Sequence, residues 1–263
     1  MTIFQAFILG LIQGLTEFLP VSSTAHIVLI RWLFQWPDPG LTFDVAVHMG
    51  TLIAVLVYFW KDWVVLIRHG FTQGMASREG KIFWFIVLAS VPGAVAGYLL
   101  EEQIQTIFRS PLIIAIMLIV MGFILYGADR LGKKRKPVEE ITFPQSLFIG
   151  ISQALAIIPG VSRSGITMTA GLFTGLSREG AARFSFLLST PMIAGAGVFG
   201  LRHISGAEIN VFLVGVLTSA VVGFLVIGSL LAWLRKSSFV PFVWYRFFTG
   251  ALIITLFLLR DKG

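Results

Sequence analysis

Leu19-Pro20-Val21-Ser22-Ser23-Thr24 and Ile158-Pro159-Gly160-Val161-Ser162-Arg163-Ser164 each interrupt an apolar stretch, the first running over about 3–34 and the second over about 144–175. Proline cannot continue a helix from within, because it lacks the N–H and its ring clashes with the preceding turn, whereas a serine or threonine behind it caps a new helix. Each stretch therefore divides into two half-helices of about 11–18 residues, short of the roughly 20 that cross a bilayer. Such pairs fit helix–turn–helix hairpins that dip into a membrane and return, although the longer first halves come close to crossing it.

Working outward, six uninterrupted apolar stretches lie near 43–60, 82–100, 111–128, 184–200, 211–234 and 240–259. Apolar residues make up 56% of the 263, and charged residues 13%, against roughly 45–50% and about 25% in soluble domains. A soluble fold of this size could not cover that much apolar surface. Composition thus excludes a soluble enzyme, a disordered chain and a disulfide scaffold. The absence of cysteine excludes an iron–sulfur cluster, Cys-ligated zinc and a thiol nucleophile. The class is an all-α polytopic integral membrane protein, with six full spans and two re-entrant hairpins in one membrane domain over 1–263. The net charge of +7 belongs with lipid headgroups and orientation, not with nucleic acid. The first residues lack a basic n-region and a small-residue cleavage site, so no removable signal peptide is expected.

If each hairpin enters and leaves on one side, the loops 61–81, 129–143, 176–183 and 235–239 share a face. They carry Lys61, Arg68, Arg78, Lys81, Arg130, Lys133, Lys134, Arg135, Lys136, Arg178, Arg183, Arg235 and Lys236. The other face has Arg109, Arg202, Arg260, Lys262 and, at its margin, Arg31. The positive-inside rule makes the first face cytoplasmic and puts both termini outside.

The hairpins also resemble each other. Gln5, Gly10, Gln13, Leu15, Val21 and Ser22 align with Gln145, Gly150, Gln153, Leu155, Val161 and Ser162 at a constant offset of 140. Three spans separate the two, and an odd number inverts the second unit. The predicted organisation is an inverted repeat, with repeat one over 1–128 and repeat two over 144–263, whose broken helices meet near the midplane. Ser-Arg-Glu-Gly also recurs at 77–80 and 177–180. That offset of 100 does not fit the repeat and is read as loop chemistry or chance.

Few ionisable residues fall inside apolar segments: Glu17, His26, Asp44, His48, Arg163 and Arg246. A charge at membrane depth costs about 2.5–3.5 kcal/mol on insertion scales, which makes function the default expectation. Glu17 follows Gln13 by one helical turn, on the same face. His26 lies on the opening turn of the next half-helix. Arg163 stands between Ser162 and Ser164, behind Pro159-Gly160, with Thr167 four residues on. Gly160 frees the backbone to turn and approach a ligand. Two half-helix N-termini, several hydroxyls and one planar guanidinium describe an oxyanion site suited to phosphate. The alternative is that Arg163 only salt-bridges Glu17 to hold the hairpins together. Asp44 and His48 are weaker candidates, and Arg246 is read as a cytoplasmic-end snorkeller.

Gln13-Gly-Leu-Thr-Glu17-Phe-Leu-Pro-Val-Ser22-Ser23-Thr24-Ala-His26 resembles the first signature of the bacterial undecaprenyl-diphosphatase (bacitracin resistance) family, and Pro159-Gly-Val-Ser162-Arg163-Ser164-Gly-Ile-Thr167 resembles its second. The resemblance extends over essentially the whole chain, with Ala25 where the family commonly has glycine. It implies a phosphatase that removes the terminal phosphate of undecaprenyl diphosphate in the bacterial plasma membrane, at a site open to the outer face. The lipid phosphate so formed carries peptidoglycan precursors. Matched motif positions imply functional roles for Gln13, Glu17, Ser22, Ser23, His26, Ser162, Arg163 and Thr167.

The expected catalytic set is Glu17, Ser23, His26 and Arg163, and the expected substrate-binding set is Gln13, Ser22, Ser162, Ser164, Thr167 and Gly160. Ser23 is the candidate nucleophile, Glu17 its base and His26 a proton shuttle or second phosphate ligand. Direct attack by water, with Ser23 only positioning the phosphate, is the runner-up. The resemblance also implies activation by a divalent cation, Mg²⁺ or Ca²⁺, but Glu17 alone is too few carboxylates for a dedicated cage without substrate oxygens. A homodimer is left open. Inverted repeats with facing broken helices also describe transporters, anion channels and flippases.

Overall fold

The computed structural model describes residues 1–37, 40–100, 110–134, 136–200 and 209–260. Four residues used above in the charge count, Arg109, Arg135, Arg202 and Lys262, lie outside these. The described residues form eleven α-helices: α1 Ile3–Thr16, α2 Ser23–Phe34, α3 Leu41–Tyr58, α4 Trp60–Thr72, α5 Arg78–Leu99, α6 Pro111–Leu131, α7 Phe143–Gln153, α8 Arg163–Phe173, α9 Arg178–Gly200, α10 Ile209–Leu234 and α11 Val240–Arg260.

Five helices, α5, α6, α9, α10 and α11, are long and apolar enough to cross a bilayer. The expected span over 43–60 is α3, which meets the same criterion jointly with α4 across a bend of 78°. α4 falls where the sequence reading placed a cytoplasmic loop. Its Lys61, Asp62, Arg68 and His69 hide the helix from an apolarity criterion, yet Leu66 and Gly70 are buried, Lys61 and Arg68 are exposed, and Asp62 and His69 are half-buried, as expected of an amphipathic helix. Across the long helices, large apolar side chains such as Phe123, Leu217, Val221, Trp244 and Phe248 are exposed. The protein is a polytopic α-helical membrane protein.

Both interrupted stretches are pairs of short helices, α1–α2 and α7–α8. Each first helix opens with the same capping box, Thr2 with Gln5 and Thr142 with Gln145, which satisfies two otherwise orphaned groups at the N-terminus. Each second helix follows a serine forced into positive φ, 74° at Ser22 and 73° at Ser162. A non-glycine residue in that region carries about 1–3 kcal/mol of strain and persists only where its surroundings hold it.

Packing exchanges partners between the halves. α1 and α3 pack on α10, while α7 and α9 pack on α5. Close approach is glycine-dependent in both: a Cβ on Gly10 would stand 2.6 Å from the Gly215 carbonyl oxygen, and one on Gly150 2.3 Å from that of Ala89. α6 packs on α11, and α3 on α9. The recurring Ser-Arg-Glu-Gly is a helix start: Ser77 and Ser177 each accept a hydrogen bond from the N–H of the glycine three residues on, opening α5 and α9.

Arg246 differs most from expectation. It is wholly buried rather than snorkelling. Its guanidinium donates to the carbonyls of Leu118 (3.1 Å), Pro20 (2.7 Å), Gly160 (2.6 Å) and Val161 (2.9 Å). It thereby ties both hairpin tips to α6, consuming carbonyls that the broken helices leave without partners.

Candidate active site

α1 ends at Thr16, and Glu17 keeps helical backbone angles as its C-cap. Gln13 and Glu17 therefore share a face, and Gln13 Nε2 donates to Glu17 Oε2 at 3.1 Å. Beyond the tip, α2 opens with Ser23, whose Oγ donates to the same carboxylate oxygen at 2.5 Å. The second hairpin supplies the matching position: α8 opens with Arg163, whose Nη2 donates to Glu17 Oε1 at 2.9 Å and whose Nη1 donates to the Ser185 carbonyl at 3.1 Å. Ser23 and Arg163, first residues of the two second half-helices, thus converge on one buried carboxylate.

α3 contributes the next residue. His48 Nε2 lies 3.5 Å from Glu17 Oε2, and its Nδ1 lies 2.6 Å from the Asp44 carbonyl one turn back. That carbonyl can only accept, so Nδ1 carries a proton and Nε2 faces the carboxylate. Asp44 is ion-paired with Arg31, itself buried, which places Arg31 inside the fold rather than at a membrane face.

These groups border a cavity of about 310 Å³. Glu17, Ser22, Ser23, Asp44, His48, Ser162 and Arg163 line its polar side; Ile157, Pro159, Gly97, Met192, Ile193 and Ala196 line its apolar side. Pro92 and Pro191 lie within α5 and α9 beside the lining residues Gly93 and Met192.

Of the other expected residues, Ser22 and Ser162 reach the cavity wall, and Gln13, Thr167, Ser164 and Gly160 stand behind it. Gln13 orients Glu17. Thr167 Oγ1 donates to the Arg163 carbonyl at 2.8 Å and meets Ser185 Oγ at 2.6 Å, bracing the backbone that carries the guanidinium. Ser162 Oγ caps α8 through the Gly165 N–H at 3.1 Å. Ser22 does not cap its own helix; its Oγ accepts the Gly160 N–H at 3.1 Å, and Ser164 Oγ donates to the Leu19 carbonyl at 2.9 Å. Those two bonds cross between hairpins, so Gly160 and Ser164 have internal partners and lie off the cavity wall. Gly160 has φ of 96°, and a Cβ there would lie 2.6 Å from the Ile114 carbonyl oxygen.

His26 lies elsewhere than the sequence reading placed it. Its Nδ1 is 2.7 Å from the Ser22 carbonyl, its Nε2 is 2.6 Å from Tyr245 Oη, and its ring stacks on that tyrosine. It is absent from the cavity wall. The histidine beside Glu17 is His48, whose only sequence signal is an ionisable group one turn inside a span.

The donor set does not make a resident cation site. Among the described residues no three His, Asp or Glu side chains gather. Both oxygens of Glu17 are engaged by Arg163, Ser23 and Gln13, and Asp44 is paired with Arg31.

Helical spans enclosing a carboxylate, a hydroxyl and a guanidinium at the tips of two hairpins, with an apolar flank, define a membrane protein whose polar site is embedded among its helices. The family model described as bacitracin resistance protein BacA matches residues 6–252, and the chain belongs to that family. Similar proteins named undecaprenyl-diphosphatase include that of Pelotomaculum thermopropionicum, 58% identical with all of both chains covered, and that of Moorella thermoacetica, 56% identical over 99% of this chain and all of the relative. The one from Desulforudis audaxviator is 53% identical over 98% of both.

Proposed function

We propose that the protein hydrolyses undecaprenyl diphosphate to undecaprenyl phosphate and inorganic phosphate, returning the lipid carrier to peptidoglycan synthesis and conferring bacitracin resistance. One observation carries the chemistry: Ser23 Oγ donates at 2.5 Å to a carboxylate whose other oxygen is held by Arg163. A hydroxyl is a weak nucleophile unless a base is adjacent, and here the base is already in contact. As Ser23 Oγ attacks the terminal phosphorus, its proton passes to Glu17. The bond from that phosphorus to the bridging oxygen breaks, and the electron pair leaves on the lipid phosphate, which takes the proton from Glu17. Water then attacks the phosphoserine, gives a proton to Glu17, and Ser23 Oγ recovers it as inorganic phosphate departs. Arg163 exchanges part of its bond to Glu17 for the incoming phosphate and neutralises the charge on the transferring group. His48 Nε2 borders the same carboxylate at 3.5 Å from the α3 side. His26 and Tyr245 shape the opening turn of α2. A divalent cation would find Glu17 as its carboxylate here and would need the substrate's own oxygens to complete its ligands.

The same reading places the apolar side of the cavity against the prenyl tail and the site toward the outer face of the bacterial plasma membrane. Support comes from the helix ends. The lining residues belong to the early part of α3 and the late parts of α5 and α9, away from the basic loops that face the cytoplasm. We also propose the inverted repeat of 1–128 and 144–263, supported by the paired capping boxes, the paired positive-φ serines and the exchanged packing partners. In that arrangement the hairpins are re-entrant and the spans number six. The test of activity is direct: purified protein in detergent, given a polyprenyl diphosphate, is scored for inorganic phosphate. Release is expected; a transporter of the same architecture would release none.

A further inference from the structure

Gln153 closes α7 and is 3% exposed, yet neither Nε2 nor Oε1 has a hydrogen-bond partner. Buried amides are nearly always paired, so an orphan at a cavity wall calls for a partner that arrives from outside. Gln153 lines the cavity together with Ser162 and Arg163.

Its counterpart in the first hairpin explains why it stands alone. Gln13 donates to Glu17, one turn on. At the same offset the second hairpin has Ile157, which accepts nothing. The second amide therefore keeps both of its polar atoms for the cavity. Its neighbours are Gly93 and Met192 of the cavity lining. Nε2 lies 3.0 Å from where a Cβ on Gly93 would be, and Met192 Cε approaches the same point at 3.0 Å. Gln153 thus sits where the polar wall gives way to the apolar one.

We propose that Gln153 is a substrate-binding residue that donates its amide N–H to the phosphate attached to the prenyl chain, the group that stays on the lipid, while Arg163 takes the terminal phosphate. This rests on the lipid-diphosphatase reading. An uncharged donor suits that place: it recognises an anionic oxygen without adding a second fixed cation that would hold the charged product after the terminal phosphate has gone.

The test uses Gln153→Met, which keeps the volume and removes only polar atoms that have no partner inside the protein. A hydrogen bond to a charged group, lost from substrate and product alike, predicts a KM for polyprenyl diphosphate and an inhibition constant for polyprenyl monophosphate that both rise about 10–100-fold. Inhibition by inorganic phosphate and kcat should stay within about threefold, and thermal stability in detergent should not fall. Unchanged KM in folded protein would overturn the proposal, as would weakened inhibition by inorganic phosphate, which would move the contact to the terminal phosphate. Should the methionine variant fail to fold, Gln153→Glu keeps the shape, loses the donor and sets a charge against the phosphate. It must raise both constants at least as much, and wild-type values there would equally overturn the assignment. If wild-type protein releases no phosphate at all, the lipid-diphosphatase reading fails, and that outcome is separate from either variant result.

Discussion

Arg163 and Arg246 are the two guanidiniums that bind groups of the hairpin tips, the first from within a tip and the second from α11, and the sequence separates them poorly. Arg163 sits in a helix-breaking tip, so its role near Glu17 is visible from the chain alone. Arg246 sits in an apolar span, where a snorkelling arginine is the ordinary reading, and nothing local reveals that four carbonyls from three other segments surround it. His26 and His48 divide the same way: a motif points to the first, while only the packing of α3 on the first hairpin brings the second to Glu17. At Arg163, replacement by lysine keeps the charge but loses the planar fork that spans Glu17 and the Ser185 carbonyl. Arg163→Lys is expected to lose about 100-fold or more in kcat/KM, in the range for removal of one transition-state donor. Steady-state phosphate release from folded variant protein checks this, and near-normal turnover would contradict the phosphate-clamp role.

At the level of elements, the breaks were legible because proline, glycine and serine act locally, and the structure puts helix ends where those residues fall. α4 was not legible, since its charges masked an amphipathic helix. The two positive-φ serines were not legible either, because their strain is imposed by contacts between hairpins. Ser22 Oγ takes the Gly160 N–H, Ser164 reaches back to Leu19, and Arg246 binds carbonyls of both tips. Arg246→Lys tests this cross-bracing. One ammonium has three donors and no fixed fork, so it cannot serve four carbonyls, and at least one charge-assisted bond is lost. The expected cost is about 1.5–3 kcal/mol, read as a lower midpoint of thermal unfolding in detergent, with activity falling as the tips lose register. An unchanged midpoint would mean that the tips are held by other contacts.

For the whole molecule, composition alone decided the membrane class, and the excess of lysine and arginine in alternate loops predicts its orientation. Two of those basic residues are engaged at the helix ends: Arg178 holds the buried Asp129 of α6 through two hydrogen bonds, and Arg183 pairs with Asp62 of α4. The chain has no cysteine, so single introduced thiols report orientation without background. Lys134→Cys is expected to resist an impermeant thiol reagent applied from outside intact cells and to react once the membrane is opened. Labelling from outside would reverse the topology and, with it, the face on which the cavity opens.

The central claim is that the Ser23 hydroxyl, held on Glu17 and opposite Arg163, attacks phosphorus. The measurement that bears on it most directly is turnover of Ser23→Ala, paired with an acid quench of wild-type enzyme carrying a polyprenyl diphosphate labelled in its terminal phosphate. The account predicts label on Ser23 in the wild type and no detectable turnover in the variant. A serine that merely positions the phosphate would cost about 10²–10³-fold, as single hydrogen-bond donors do. Residual turnover of about 1% or more in Ser23→Ala, with no label trapped on the wild type, would contradict the covalent route and leave water as the nucleophile activated by Glu17.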